Sequence, residues 1–375
     1  MKAISLLASL LVVTLLSGCN QERASAELAP LEVGALLPLT GPGAVFADYI
    51  KKGLDMAADE INQEDPGSIV LIYEDSENNP QRGISAFQQM VLTEDPPVVI
   101  SALSSVTSAV APLAGPNNTV VIGTAVALPG VTAPSDYVFR VYPEADGIAG
   151  VIAEYASDKY QTAGIAYIDD DFGQSSAEVF EELFEADGDS VLLTEPYELT
   201  ERDFRAQWEK FKDANPDVVW IVGYGPAYSA LVTQMREANV QSDLLADMTL
   251  GLPVTINNVG DAAEDVVYVD ASIDPAFASR YESRYGERPT SYAGYAYDIL
   301  MMLNEVRKGG NNTAESIRDS FADIEGYRGV MGNISMEEDR DAALDFILME
   351  IESGMPEVYD GDNAENEEAV LVGEG

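Results

Sequence analysis

The chain reads as an α/β protein of two lobes, each built on a parallel-sheet core with helices on both faces. Three observations predict it. Apolar runs of strand length alternate with amphipathic stretches almost throughout, the pattern of parallel strands joined by crossover helices. The alternation starts afresh near residue 147, after four strands. The length, 375 residues of which 46% are hydrophobic, suffices for two cores, and no linker-like stretch divides them.

The elements follow in order. Residues 33–39 (VGALLPL) form an apolar strand closed by a Gly/Pro loop at 40–43. Ile50, Leu54, Ala57, Ala58 and Ile61 fall at helical spacing and predict a helix over 45–62. SIVLIYEDS is a second strand, and Ile84, Phe87 and Val91 mark the helix after it. VVISA and TVVIG (119–123) are strands three and four. In the second half a helix over 147–159 leads to the strand TAGIAYIDDD, the helix SSAEVFEELFEADG and the strand SVLLTEPY. RDFRAQWEKFKDAN, PDVVWIVGYG and AYSALVTQMREANV read as helix, strand and helix. After the strand DVVYVDAS come two helices, FASRYESRYG and SYAGYAYDILMMLNEVRK. GNISMEEDRDAALDFILMEIESG then reads as two strands joined by a charged turn. The tail over 359–375 is acidic and poor in large apolar residues, so disorder is expected there.

Composition narrows the function. There are 65 Asp and Glu against 20 Lys and Arg, a formal charge of −45, which argues against a nucleic-acid partner because phosphate binding needs a basic surface. The acid is dispersed between apolar repeats, as in a protein adapted to high salt, where a screening length of about 3 Å at 1 M mutes self-repulsion. Histidine is absent, which removes Ser-His-Asp and Cys-His catalysis and His-based zinc sites. No nucleophile elbow stands out, so an enzyme is not expected, nor a cofactor. Asp169, Asp170 and Asp171 are consecutive, and three adjacent carboxylates on a strand cannot all face one ion; they read as a strand end facing solvent, with no metal site.

The N-terminus is Met1-Lys2 followed by a short apolar run, an export signal over 1–18. Its end, Leu16-Ser17-Gly18-Cys19, resembles the lipobox of bacterial lipoproteins, which implies that Cys19 becomes a lipidated first residue. Residues 19–30 then form a tether. The mature protein would sit outside the cytoplasmic membrane, touching it only through lipid.

One stretch concentrates hydroxyls. Ser101, Ser104, Ser105, Thr107 and Ser108 stand where the strand VVISA hands over to an Ala-rich helix. In open parallel sheets ligands bind beyond the carboxyl ends of strands, at helix starts. One hydroxyl could equally be a helix cap; composition leaves both readings open.

The order of segments resembles the type I periplasmic binding proteins, specifically the leucine/isoleucine/valine-binding family of ABC importers. VGALLPLTGPGAVFADYIKKGLDMAADEIN, IYEDSENNPQRGISAFQQMV, ISALSSVTSAVAPLA, VVIGTAVALPGVT, YIDDDFGQSSAEVF, ERDFRAQWEKFKDANPDVVWIVGYG and GYRGVMGNISMEEDRDA carry the resemblance. It implies two Rossmann-like lobes joined by a three-crossover hinge, with a ligand cleft between them. Lobe 1 would be 31–141 plus 271–330, and lobe 2 would be 142–270 plus 331–358. Ser104 and Ser105 match the serines that receive a ligand carboxylate, and Ala125 and Ala127 match the second ligand loop. Phe46, Phe172, Tyr224 and Tyr292 match cleft-lining positions, and Asp247 is the nearest match to the acid that pairs with a ligand ammonium. Ala127 stands where the family often has Thr or Ser, and Phe172 where Tyr is common, which makes the pocket more apolar. The implied function is capture of a small polar ligand, a branched-chain or other neutral amino acid, by lobe closure and delivery to an ABC permease. The alternative is a sensory or regulatory lipoprotein binding an amide, urea or organic acid.

Overall fold

The computed structural model describes residues 29–359 and 361, apart from 42 and 187. Lobe 1 opens with β1 (Leu31–Leu37), α1 (Ala44–Glu64), β2 (Ile69–Asp75), α2 (Pro80–Thr93), β3 (Val98–Ala102), α3 (Ser104–Ala114), β4 (Val120–Thr124) and β5 (Val138–Arg140). The chain crosses through 141–144 into lobe 2, which holds α4 (Ala145–Lys159), β6 (Thr162–Ile168), α5 (Asp171–Ala186), β7 (Ser190–Tyr197) and α6 (Arg205–Ala214). There follow β8 (Val218–Val222), α7 (Gly225–Glu237), β9 (Asp243–Ala246), α8 (Pro253–Val259) and β10 (Val267–Asp270). Through 271–274 it returns to lobe 1 for α9 (Pro275–Tyr285), α10 (Ser291–Lys308) and α11 (Ala314–Ala322), then β11 (Tyr327–Gly329), β12 (Gly332–Met336) and β13 (Ala342–Ala343). A third crossing, 344–346, delivers β14 (Ile347–Glu352) and β15 (Met355–Val358) to lobe 2.

Among the described residues the sheet of lobe 1 has the order β2-β1-β3-β4-β5, and all its pairings are parallel. That of lobe 2 runs β15-β14-β10-β9-β8-β6-β7, parallel except where β14 and β15 join antiparallel. In each lobe the strand order reverses once, between β1 and β3 and between β6 and β8. The loops leaving those strands diverge there and open a crevice. The two crevices face each other.

Local chemistry explains the elements that build this crevice. Every residue of β3 is buried, as helices on both faces require. Asn79 caps α2 by accepting from the Arg82 N–H, with Pro80 in the first turn, where its missing N–H is not needed. Thr290 caps α10 in the same way, accepting from the Ala293 N–H. Helix α1 buries the stripe that includes Phe46, Ile50, Leu54 and Ile61 against α10. Gly53 lets the two helices meet backbone to backbone: a Cβ there would lie 2.1 Å from the Ala293 carbonyl oxygen.

The hinge carries an ion cluster around a buried arginine. Arg140, at the end of β5, is 1% exposed. Its guanidinium donates to the Leu128 carbonyl at 2.9 Å and pairs with Glu144 at 2.7 Å and Asp341 at 2.6 Å. It thereby ties the first crossing to the start of the third. Burial pushes the Asp341 carboxyl up to about 6, against the lowering effect of Arg140.

Two expectations are corrected. Residues 331–343 belong with lobe 1, not lobe 2, and residues 332–354 are not one hairpin. The turn forms as read, with the Glu337 N–H donating to the Asp341 carbonyl at 2.9 Å. Its far side, however, turns inward to lobe 1. Arg340 donates to the Val138 and Thr132 carbonyls, and the Arg140 N–H donates to the Arg340 carbonyl. Only β14 and β15 join lobe 2. Tyr359, read as the first residue of the tail, is held in place: its N–H bonds the Leu348 carbonyl, and its ring packs on Tyr155. The signal segment, Cys19 and the rest of the tail other than residue 361 lie outside the described residues, as do residues 19–28 of the tether. Among the described residues no helix is long and apolar enough to cross a membrane.

Candidate ligand-binding cleft

A cavity of about 140 Å³ lies between the facing crevices. Its volume resembles the roughly 150 Å³ of a cavity that accepts one benzene-sized molecule. All nine residues that the resemblance matched to the ligand site line it.

From lobe 1 comes the turn from β3 into α3. Leu103 holds φ 70 and ψ 141, a conformation almost confined to glycine, and so aims the first turn of α3 at the cavity. No side chain caps that helix, so its leading N–H groups and partial positive charge face the cavity beside Ser104 and Ser105. The Ser105 hydroxyl donates to Asn78 Oδ1 at 3.1 Å. Of the five hydroxyls at this handover, Ser101 and Thr107 are buried and bond each other at 2.8 Å. They are structural, and Ser108 is absent from the cavity wall. After β4, Ala125 takes φ 54, and the Ala127 carbonyl accepts from the Ala145 N–H at 2.8 Å, tying this second loop to the first crossing.

An aromatic group closes the lobe 1 side. Phe46 in the first turn of α1 lies 5.1 Å from the Tyr292 ring in the first turn of α10. Tyr142, in the first crossing, lies 5.5 Å from Tyr292, and its hydroxyl donates to Met248 Sδ across the cleft at 3.0 Å.

Lobe 2 contributes carboxylates and two more rings. Asp247 follows β9 and is wholly buried. It accepts from the Gly223 N–H at 3.2 Å and from the Thr249 N–H and hydroxyl, each at 3.3 Å. Burial nevertheless dominates and pushes its carboxyl up to about 7. Asp170, at the carboxyl end of β6, accepts from the Gly173 N–H at 2.9 Å and the Tyr224 hydroxyl at 2.7 Å. Burial raises its carboxyl above the ordinary range, and burial likewise raises the Tyr224 phenol, with Asp170 adding to it. Phe172 and Tyr224 pack against the core of lobe 1 as well as that of their own lobe. Tyr224 meets Phe46 edge-on at 5.9 Å.

Sequence reading missed Asn78, Leu103, Tyr142, Ile148, Asp170, Asp171, Met248 and Thr249, which also line the cavity. The reading of the aspartate run as a solvent-facing strand end is corrected for Asp170, which turns inward to cap α5 and hold Tyr224. The spacing of Asp170 to the Gly173 N–H is that of a helix cap, a signal present in the sequence. Among the described lining residues there is no Lys or Arg, and among the described residues no group of three potential ligands could hold a metal ion. One wall thus offers N–H and O–H donors, the opposite wall offers carboxylates, and the sides are apolar.

A family model described as "Periplasmic binding protein" matches residues 30–356. The chain belongs to the periplasmic binding protein family. As a periplasmic binding protein it is a solute-binding protein rather than an enzyme, of a family that works outside the cytoplasm. Among its relatives, Leu/Ile/Val-binding protein homolog 1 of Brucella abortus is 25% identical over 346 residues, 88% of this chain and 93% of that protein. Its fold is that of the branched-chain amino acid transporter substrate-binding protein LivJ from Streptococcus pneumoniae, solved with isoleucine. The TM-score is 0.82 at 21% identity, covering 88% of this chain and 98% of that one. A solute-binding protein of an ABC transporter from Rhodopseudomonas palustris, solved with 3,4-dihydroxybenzoic acid, gives 0.79 at 21% identity over 88% and 96%.

Proposed function

We propose that this periplasmic binding protein captures a neutral α-amino acid, of branched-chain size, by closure of its lobes and delivers it to the permease of an ABC importer. The observation that carries the reading is the opposition of two walls across a small cavity. The uncapped start of α3, with Ser104 and Ser105, suits a carboxylate. Asp247 on the facing wall suits an ammonium group, and the Phe46, Tyr142 and Tyr292 rings suit an apolar side chain. Hydrogen bonds to charged groups contribute about 1.5–3 kcal/mol each, so a few support micromolar affinity after the cost of association. The signal segment and Cys19 support an exported, lipid-anchored form, and the charge of −45 supports work in high salt.

The second reading is a sensory lipoprotein for an organic acid or amide. It is favoured by Ala127 and Phe172, which withhold two hydroxyls from an amino-acid head group. Against an acid stands the facing wall: a carboxylate docked at α3 would leave Asp170, Asp171 and Asp247 opposite it with no cationic group from ligand or lining. Calorimetric titration of the purified protein at high salt with L-leucine, L-isoleucine, L-valine, benzoate, 4-hydroxybenzoate and acetamide decides. Micromolar binding of the amino acids is expected; binding of the acids or acetamide alone overturns the proposal.

A further inference from the structure

We propose that Asp170 is a positioning residue that holds the Tyr224 ring against Phe46 and so sets how long the lobes stay closed over the ligand. The proposal rests on reading this cavity as the ligand site. Asp170 borders the cavity, but both its oxygens are engaged within lobe 2. Oδ1 accepts from the Gly173 N–H at the start of α5, and Oδ2 accepts from the Tyr224 hydroxyl. One carboxylate thereby binds the loop after β6 to the loop after β8. Tyr224 itself caps α7 from an extended conformation, with no side-chain hydrogen bond to that helix, so its phenol direction depends on Asp170. The next residue back reinforces this: Gly223 has φ 148, and a Cβ there would lie 2.0 Å from the Tyr197 hydroxyl. The loop is therefore closely packed against Tyr197 just before Tyr224, with no room for a side chain at position 223. From that fixed position the ring meets Phe46 of lobe 1 at 5.9 Å and an interplanar angle of 81°. Phe46 in turn packs on Tyr292 at 5.1 Å. A line of contacts therefore runs from a carboxylate in lobe 2 through two rings into the first turns of α1 and α10.

The test uses the full chain carrying Cys19→Ser, since Cys19 is its single cysteine. Spin labels are placed at two exposed positions, Gln81→Cys on α2 and Glu178→Cys on α5. Interlobe distances are measured without ligand and with L-leucine, and leucine dissociation is followed by stopped flow. Tyr224→Phe removes the hydroxyl and keeps the ring. Asp170→Asn keeps an acceptor for the Gly173 N–H. Each is expected to shift the distances toward the open form and raise the dissociation rate about fivefold to tenfold, part of one charge-assisted hydrogen bond. The double variant is expected to do no more than the larger single one, with thermal midpoints near that of the parent. Unchanged distances in both single variants overturn the proposal, as do effects that multiply in the double variant. If leucine does not bind the parent, the proposed ligand class fails, and the ligand-free distances still decide the role of Asp170.

Discussion

Asp247 shows how much one residue's surroundings alter its chemistry. Nothing in its immediate sequence separates it from 64 other acids. Wholly buried, it meets three donors, yet desolvation holds its carboxyl at about 7 rather than the ordinary 3.8. A ligand ammonium favours the ionised form and lowers that value, so capture below pH 7 must release a proton. Affinity for L-leucine is therefore expected to fall as pH drops below about 7, by up to tenfold per unit, and to level off above it. Titration calorimetry in buffers of differing ionisation enthalpy reads both the affinity and the proton. Asp247→Asn is expected to abolish this pH dependence and weaken binding by about 2–5 kcal/mol, the loss typical of truncating one partner of a buried charged pair. Asp247 was legible as a candidate only through family resemblance, because its burial depends on β8 and β10 flanking β9. The cluster of hydroxyls around Ser104 and Ser105 was visible in the residues themselves, since a strand running into a helix start is local, but only the resemblance singled out those two.

At the scale of elements, the contact of α1 with α10 places two cleft rings at once. Phe46 opens the first helix and Tyr292 the second, and Gly53 permits their approach. Gly53→Ala would force a Cβ onto the Ala293 carbonyl, next to Tyr292. Overpacking of this kind costs about 1–3 kcal/mol. The expected outcome is a lower midpoint of urea unfolding and, because Tyr292 is displaced with its helix, weaker leucine binding; a surface change such as Gln88→Ala on the exposed face of α2 serves as the control. Helix α10 was legible to the residue, because its apolar pattern fills eighteen consecutive residues and the Thr290 cap stands directly before them. The ribbon β11 to β13 was not. Its strands are short, and Arg340 and Asp341, which read as part of a charged turn, are drawn inward by partners some two hundred residues away in the chain.

At the scale of the whole molecule, charge governs stability. A formal charge of −45 repels itself over a screening length of about 10 Å at 0.1 M salt and about 3 Å at 1 M. The thermal midpoint of the ligand-free protein is expected to rise with NaCl over that range. A pH effect adds to it. Burial holds Asp247, Asp270 and Asp298 at about 7, above their unfolded values near 3.9. The folded state therefore binds more protons between about pH 4 and 7, and stability falls as pH rises through that window. Calorimetric scans at fixed salt from pH 5 to 8 should show the midpoint decreasing; a flat profile would mean these carboxyls are not protonated in the fold. The sequence by itself determined the two α/β lobes, the order of most strands and helices, and the hydroxyl cluster at a strand's end, because periodicity and strand-to-helix handovers are local. Tertiary structure alone decided which acid is buried at the cleft, which aspartate turns inward to hold Tyr224, and where the third crossing leaves lobe 1. Each of those depends on side chains that only the packing of distant segments brings within hydrogen-bonding distance, and on the desolvation that such packing imposes.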